Sequence, residues 1–242
     1  MIELHFWPTG NGQKVAIYLE EAGLEYEVHP VNINAGDQFR PEFLAISPNN
    51  RIPAIIDRAP ADGGAPISVF ESGAILLYLA EKTGKLIPAD FRSRKETLEW
   101  MFWQVGGLGP MAGQRNHFSS RREGNEYAYD RYSKETNRLY GVLEKRLAGR
   151  EYIVGDYSIA DIMNYPWIVS GIRNYGYDLG DFPNIIAWHD RISSRSAVKL
   201  AYEKADVIRA TNKVSEEEAN RWKYGQSASS VAAMAANAAK QA

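Results

Sequence analysis

Three short stretches of this sequence carry polar residues at positions where such side chains could do chemistry. The first is PTGNGQK, residues 8–14, which follows the apolar run Ile2 to Trp7 and precedes a helical pattern. A strand, a polar turn and a helix in this order present a helix N-terminus to an anion. The stretch contains no Cys, Ser, His or Tyr, so the protein supplies no ordinary nucleophile or base there. We therefore expect the reactive atom to arrive on a bound ligand.

The second stretch is SPNNRIPAIID, residues 47–57, in which Pro53 stands at the entrance of an apolar run. Proline has no N–H, so Pro53 belongs at the start or the edge of a strand rather than inside a sheet ladder. The backbone groups of Ile52 would then be able to pair with an extended, peptide-like ligand. A plain turn explains this stretch equally well.

The third stretch is FESGAILLYLAEK, residues 70–82, which places Glu71 and Ser72 just before an apolar helix. Serine is a favoured N-cap, and a carboxylate is stabilised near the positive end of a helix, so capping alone explains both residues. In the functional alternative, Ser72 and nearby N–H groups bind a ligand carboxylate while Glu71 pairs with a ligand ammonium. Taken alone, the stretch favours the capping interpretation.

The elements that must position these residues form two patterns along the chain. Residues 1–85 alternate strand-like runs, IELHF, YEVHPVNI, IPAIID and ISVF, with helical runs at about 11–22 and 72–82. A strand, a helix and a strand in close succession predict parallel strands. From about residue 91 the pattern is helical throughout, with helices expected at about 91–115, 124–148, 158–174 and 183–206.

This pattern predicts an α/β domain over residues 1–85, an all-α domain over 91–206 and a C-terminal extension over 207–242. The tail from Gly225 is rich in Ala and Ser and has no apolar periodicity, so we expect it to be mobile or loosely helical. Within the helical part, Ser158 and Asp161 have the spacing of a structural capping box. Gly106, Gly107, Gly109 and Pro110 are expected to interrupt or kink the first long helix.

Composition narrows the classes of partner. The 28 Lys and Arg residues against 30 Asp and Glu give a formal charge of -2, which offers no strong attraction for nucleic acid or an anionic membrane. No apolar run approaches the roughly 18 residues that a bilayer span needs, and no signal-peptide pattern opens the chain, so we expect a cytoplasmic protein. The absence of Cys excludes attack by the protein's own thiol, and the four scattered His predict no metal site.

Together the three stretches resemble the thioredoxin-like N-terminal domain of the glutathione transferase superfamily, followed here by a helical second domain. PTGNGQK, GDQFRPEFLAISPNNRIPAIID and FESGAILLYLAEKTG are similar to the bacterial nu-class proteins, which are glutathione-dependent disulfide-bond oxidoreductases. FWQVGGLGPMAGQ (102–114) and YSIADI (157–162) extend the resemblance into the helical domain, so that it covers about residues 1–206. The resemblance implies the glutathione transferase fold, with glutathione as substrate or co-substrate.

The resemblance also implies a glutathione clamp built from two of the stretches. Ile52 would offer backbone hydrogen bonds to the cysteinyl part of glutathione, with Pro53 in the cis form that this fold uses. Glu71 and Ser72 would hold the γ-glutamyl end. On this interpretation, these residues of the second and third stretches bind glutathione. They do not serve only to form a turn or to cap a helix.

Five further residues complete the implied site. Gln38 and Arg51 would lie near the glycine end of glutathione, and Thr9 and Asn11 would face the sulfur. Arg131, in the segment AYDRY, matches an arginine that reaches the site from the second subunit of a homodimer. The helix around Trp100 to Met111, rich in aromatic residues and glycine, is the expected dimer interface.

The sequence departs from the wider family at the sulfur. Many transferases carry Tyr, Ser or Cys there, whereas Thr9 and Asn11 cannot take a proton near pH 7 and can only donate hydrogen bonds to a thiolate. Lowering a thiol pKa of about 8.5 by about two units needs about 2.7 kcal/mol. One charge-assisted hydrogen bond supplies about 1.5–3 kcal/mol and a helix end about 0.3–1 kcal/mol more, so no base is needed.

These observations predict a homodimeric enzyme that uses bound glutathione as the nucleophile in thiol–disulfide exchange. Conjugation of glutathione to a small electrophile uses the same thiolate and remains an alternative. A non-catalytic regulatory protein on the same fold is a second alternative, because a fold does not fix a function.

Overall fold

The structure is a computed structural model that describes residues 1–224. These residues form two compact units. Within the described residues, the first unit holds Met1–Ile75 together with residues 200–224, and the second holds Leu76–Lys199. The return of the chain to the first unit after Leu200 was not expected from the sequence. The tail from Gly225, for which a mobile or loosely helical state was predicted, lies outside the described residues.

A four-stranded mixed sheet forms the centre of the first unit. Its strands are β1 (Ile2–Phe6), β2 (Tyr26–Pro30), β3 (Ala54–Asp57) and β4 (Ile67–Phe70), in the order β2-β1-β3-β4. β1 and β2 are parallel, which confirms the prediction from the strand–helix–strand pattern, whereas β3 is antiparallel to both β1 and β4. β2 ends earlier than the run to Ile33 suggested, because the chain turns where the Asn32 N–H donates to the Asp37 carboxylate.

Helices flank this sheet. α1 (Gly10–Ala22) follows β1 and ends at Gly23, whose φ of 65° is the left-handed C-cap conformation that the sequence indicated. A single 3-10 turn (Asp37–Phe39) and the short α2 (Pro41–Leu44) lie between β2 and β3. α3 (Ser72–Thr83) begins in the first unit and continues into the second.

The second unit, residues 76–199, contains helices and loops but no strand, as predicted. After α3 come α4 (Phe91–Trp103), a wide π-helical turn (Gln104–Leu108) and α5 (Gly109–Ser119). The chain continues through α6 (Glu126–Leu147), α7 (Ile159–Tyr175) and α8 (Pro183–Ser193).

The predicted helix over 91–115 is confirmed as a helical run from Phe91 to Ser119, with the wide turn inside it. The expected interruption by glycines is confirmed, and Gly109 shows its cause. A Cβ on Gly109 would lie 2.6 Å from Nε2 of Gln104 and 3.2 Å from its carbonyl oxygen. A side chain at this position would require the Gln104 side chain and the start of the wide turn to shift.

The capping box at the start of α7 is confirmed. Ser158 accepts from the backbone of α7, and the Asp161 carboxylate accepts in return from the Ser158 N–H at 3.0 Å. Asp161 is fully buried and also accepts from the Ile153 N–H at 2.9 Å and from Nε1 of Trp188 at 2.8 Å. Both residues therefore have the structural role that their spacing predicts.

The last two helices are α9 (Ser196–Thr211) and α10 (Glu216–Tyr224). The prediction of one helix over 183–206 is wrong, because the chain breaks at Ser194–Arg195, where the Ser194 hydroxyl bonds back to the Arg191 carbonyl at 2.7 Å. The chain then stays helical to Thr211. None of the helices within residues 1–224 has the length and the apolar character that crossing a membrane requires.

The end of α9 contacts the loops of the first unit. Arg209 donates to the carbonyl oxygen of Pro8 at 2.8 Å. The Asn212 carbonyl accepts from Nδ2 of Asn32, also at 2.8 Å. Residues 200–212 therefore form part of the structure around the first of the three stretches, residues 8–14.

Candidate active site

The three chemistry-bearing stretches meet at one cavity of about 280 Å³ in the first unit. Six of the nine residues implied by the resemblance line it: Asn11, Arg51, Ile52, Pro53, Glu71 and Ser72. Asn49 lines it as well, although no motif had singled this residue out. Thr9, Gln38 and Arg131 are not among the lining residues.

The turn between β1 and α1 sets the position of Asn11. A Cβ on Gly12 would lie 2.2 Å from the carbonyl oxygen of Trp7 and 2.8 Å from the ring of Phe6. Only glycine allows the helix to start this close to the end of the strand. The Thr9 hydroxyl oxygen caps α1 by accepting from the Gly12 N–H at 3.2 Å, so its own proton remains able to donate.

The second stretch presents backbone groups to the cavity. The Ile52–Pro53 peptide bond is cis, as the resemblance implied, and β3 begins at the next residue, Ala54. Within residues 1–224, no hydrogen bond occupies the N–H or the carbonyl of Ile52. Ile52 can therefore pair with the backbone of an extended ligand.

The third stretch opens α3 with an unusual backbone. Glu71 has a φ of 72°, a left-handed conformation that costs a non-glycine residue about 1–2 kcal/mol. Its carbonyl accepts the first helical bond from the Ile75 N–H at 2.9 Å. Ser72 lies inside the first turn, where its Oγ accepts from Nζ of Lys14 at 3.3 Å. The interpretation of Ser72 as a side-chain N-cap is therefore wrong.

Lys14 is a residue of this site that the sequence analysis missed. Its side chain is buried beneath the cavity, and Nζ donates to Oδ1 of Asn11 at 2.9 Å as well as to Ser72. Burial lowers the pKa of the Lys14 ammonium well below its usual value, and the charge of Glu71 partly offsets this shift. Its spacing of three residues from Asn11 on one helix is the signal that could have identified it.

The residues expected at the glycine end differ in their exposure. Gln38 is buried, and its Nε2 donates to the Ile33 carbonyl at 3.3 Å. Its Oε1 has no hydrogen-bond partner in the described part of the chain. Arg51 is exposed at the rim, where Nη1 donates to the Asn50 carbonyl at 3.1 Å. A contact of either side chain with glutathione stays a prediction.

Arg131 lies on α6 in the second unit. It lines a separate cavity of about 830 Å³, together with Met111, Tyr127, Asp130 and neighbouring residues of α6. Its expected role depends on a second subunit and stays a prediction. Over residues 1–224, no three His, Asp or Glu side chains are grouped so that they could hold a metal ion.

Two family descriptions match the chain. The glutathione S-transferase N-terminal domain matches residues 2–81, and the glutathione S-transferase C-terminal domain matches residues 105–196. The disulfide-bond oxidoreductase YfcG of Escherichia coli K12 is 54% identical over 209 residues, which cover 86% of this chain and 97% of YfcG.

Solved structures agree with these matches. A glutathione transferase family member from Pseudomonas fluorescens Pf-5, crystallised with two glutathione bound, superposes with a TM-score of 0.80 at 44% identity, covering 84% of this chain and 92% of that one. A glutathione transferase from Pseudomonas putida, with one glutathione disulfide bound per subunit, has a TM-score of 0.79 at 41% identity, covering 83% and 90% of the two chains.

Proposed function

This chain belongs to the glutathione S-transferase family, and we propose on that basis that it is a glutathione-dependent disulfide-bond oxidoreductase. The main support for the proposal is the cavity, which is lined by the amide of Asn11 at the N-terminus of α1, the hydroxyl of Ser72 and the carboxylate of Glu71. The chain has no Cys. Such a site supplies hydrogen bonds and charge but no nucleophile. Its chemistry must therefore use the sulfur of the ligand.

The lining groups suit the two ends of glutathione. The γ-glutamyl end carries an ammonium and a carboxylate, which match the Glu71 carboxylate and the donors at Ser72 and the start of α3. The free backbone groups of Ile52 suit the peptide in the middle of the ligand. In this orientation the thiol lies toward Asn11, and the glycine carboxylate lies toward Arg51 and Gln38.

The proposed reaction proceeds in two exchanges. The bound glutathione thiolate attacks one sulfur of a disulfide, so that a mixed disulfide forms and the other sulfur leaves as a thiolate, which takes up a proton. The thiolate of a second glutathione then attacks the glutathionyl sulfur and releases the remaining substrate thiol. The balance is two glutathione oxidised to glutathione disulfide for one disulfide reduced to two thiols. The bound species in the two Pseudomonas structures are consistent with this sequence.

Hydrogen bonding replaces the missing base. We propose that the Asn11 amide and the Thr9 hydroxyl donate to the thiolate, assisted by the N-terminus of α1. A hydrogen bond from Asn11 contributes about 1.5–3 kcal/mol when its partner is charged. This stabilisation of the thiolate lowers the thiol pKa by about one to two units. These groups need no proton transfer of their own.

A direct test compares the two reactions that a glutathione thiolate can perform. With glutathione and a small symmetric disulfide, we expect turnover, measured as glutathione disulfide formed, to exceed conjugation of a chlorodinitrobenzene electrophile under the same conditions. Faster conjugation would favour the alternative of a conjugating transferase. Failure of the protein to bind a glutathione-affinity resin would favour the non-catalytic alternative.

Substitution of Asn11 tests whether the protein stabilises the glutathione thiolate or only binds glutathione. Asn11→Ala should raise the apparent pKa of bound glutathione by about one to two units and cut disulfide turnover about tenfold or more near neutral pH. The loss should shrink as the pH rises, because glutathione then ionises without help. Thiolate absorbance measured against pH provides the readout. Identical titration curves for Asn11→Ala, Thr9→Val and their double variant would mean that another group activates the sulfur.

We further propose that the enzyme is a cytoplasmic homodimer joined through the segment Trp100 to Met111. Phe102 and Val105 in this segment are 68% and 44% exposed and so offer apolar surface that a second subunit could cover. Arg131 would contribute to the site of the other subunit.

A further inference from the structure

Lys14 is a buried residue that contacts side chains at both ends of the proposed glutathione site. It is 1% exposed, and Nζ lies 2.9 Å from Oδ1 of Asn11 and 3.3 Å from Oγ of Ser72. Asn11 is the residue proposed to face the sulfur, and Ser72 is the residue proposed to face the γ-glutamyl carboxylate. A lysine is almost never fully buried unless it is paired. The burial of Lys14 between these two residues therefore suggests that its contacts have a function.

The contact with Asn11 determines which way the amide faces. Nζ donates to Oδ1 of Asn11 at 2.9 Å, so the amide meets Lys14 with its carbonyl oxygen. The amide therefore directs its NH2 group away from Lys14. A thiolate accepts hydrogen bonds and requires a donor, so this orientation is the productive one.

The contact with Ser72 acts in the same way. The Ser72 oxygen accepts from Nζ, so the single hydroxyl proton must point elsewhere. That proton is then directed toward an acceptor such as a ligand carboxylate. One buried cation thus orients the polar groups of two separate stretches of the chain, 58 residues apart.

We infer that Lys14 is a positioning residue for glutathione, which orients the Asn11 amide toward the sulfur and the Ser72 hydroxyl toward the γ-glutamyl carboxylate. It acts through these two side chains, and it does not line the cavity. The inference rests on the proposed function in that it assumes glutathione as the ligand. It applies equally to disulfide reduction and to conjugation, because both reactions use the thiolate.

The energetics of Lys14 agree with a role in the site rather than in folding. Burial opposes its charge, and Glu71 is the charged group that favours it. A buried ammonium costs free energy that a methionine of similar length would not cost. A residue retained only for stability would be better replaced by an apolar one.

Lys14→Met tests the inference because it keeps the length of the stem and removes the ammonium. We expect the apparent pKa of bound glutathione to rise by about one unit, which lowers the thiolate fraction near neutral pH about tenfold. Binding of S-methylglutathione, which reports the Ser72 end without a thiolate, should weaken several-fold. Lys95→Met, at an exposed position of α4, is the matched control and should leave both measurements unchanged.

A double-mutant cycle separates positioning from a general loss of structure. In the Asn11→Ala background, Lys14→Met should raise the thiol pKa little further, because the amide that it orients is gone. Additive pKa shifts would overturn the inference, as would an unchanged thiol pKa in a folded Lys14→Met protein. If Lys14→Met does not fold, as judged by thermal unfolding, Lys14→Gln takes its place in the same cycle.

The outcome also distinguishes this inference from the proposed function. A parent protein that neither binds glutathione nor lowers its thiol pKa would overturn the proposed function itself. A parent that does both, with a Lys14→Met variant that does so equally well, would overturn only the role of Lys14.

Discussion

At the scale of single residues, Glu71 combines an unfavourable backbone conformation with a side chain in the site. Its φ of 72° is a conformation that glycine adopts at no cost, and yet the sequence has glutamate there. A residue chosen only to open α3 would be expected to avoid this strain. Backbone strain at a cavity-lining residue is typical of a functional position.

Two substitutions of Glu71 separate its backbone from its carboxylate. Glu71→Gln keeps the strain and removes the charge, whereas Glu71→Gly removes both. We expect both variants to bind glutathione about tenfold or more weakly, since a charged hydrogen-bond partner contributes about 1.5–3 kcal/mol. The glycine variant should unfold at a higher temperature than the glutamine variant. Titration calorimetry measures the affinity for glutathione, and scanning calorimetry measures the melting temperature. If both variants bind glutathione as the parent does but melt at a lower temperature, the structural interpretation of Glu71 is restored.

The candidate site could be predicted from the sequence only where its residues stand in recognisable motifs at the start of a predicted strand or helix. Ile52, Pro53, Glu71 and Ser72 were identified in this way. Lys14 was not, because a lysine within an apolar helical run is ordinarily assigned to a solvated face. Here almost every residue of α1 from Gly12 to Leu19 is buried, so no solvated face exists in that segment.

At the scale of elements, the site depends on how closely α1 approaches β1. Gly12→Ala would place a methyl group against the Trp7 carbonyl, and the start of the helix must then move. We expect a loss of about 1–3 kcal/mol in the free energy of unfolding and a higher apparent pKa of bound glutathione. Thermal unfolding and thiolate titration measure the two effects.

Gly141→Ala is the matched control for this prediction. Gly141 lies within α6, and a Cβ there meets no atom within 4 Å. The same substitution should therefore leave the site unchanged and stabilise the protein by about 0.5–1 kcal/mol, because alanine is the better helix former. Equal effects of the two substitutions would argue against a special role for Gly12.

Some of the helices could be predicted from the sequence more closely than others. α1 and its glycine C-cap were predicted closely, since a strong periodicity ends there at a residue suited to the left-handed conformation. The wide turn at Gln104–Leu108 interrupts a helix without any loss of helical periodicity on either side. The break at Ser194–Arg195 interrupts an apolar periodicity that continues into α9, so apolar spacing does not reveal it.

At the scale of the whole molecule, the proposed dimer gives the exposed side chains of Phe102, in α4, and Val105, in the wide turn, a partner. We expect the parent protein to sediment as a dimer at micromolar concentration and Phe102→Glu to shift it toward monomer, since a buried interface charge is costly. Val207→Glu, at a 63% exposed position of α9, is the control and should remain dimeric. A monomeric parent would contradict both the interface and the cross-subunit role of Arg131.

The return of the chain to its first unit after Leu200 bears on biosynthesis. The strands of the sheet all lie within the first 70 residues, but the Pro8 carbonyl receives its partner from Arg209, 201 residues later, and Asn32 bonds to Asn212, 180 residues later. At a translation rate of about 5–20 residues per second, roughly 10–40 s separate these events. A nascent chain can therefore form its sheet early, while the contacts that Arg209 and Asn212 make with the loops at Pro8 and Asn32 form only late in synthesis. The ribosome thus supplies the last contacts around the proposed sulfur-binding turn long after the turn itself has been made.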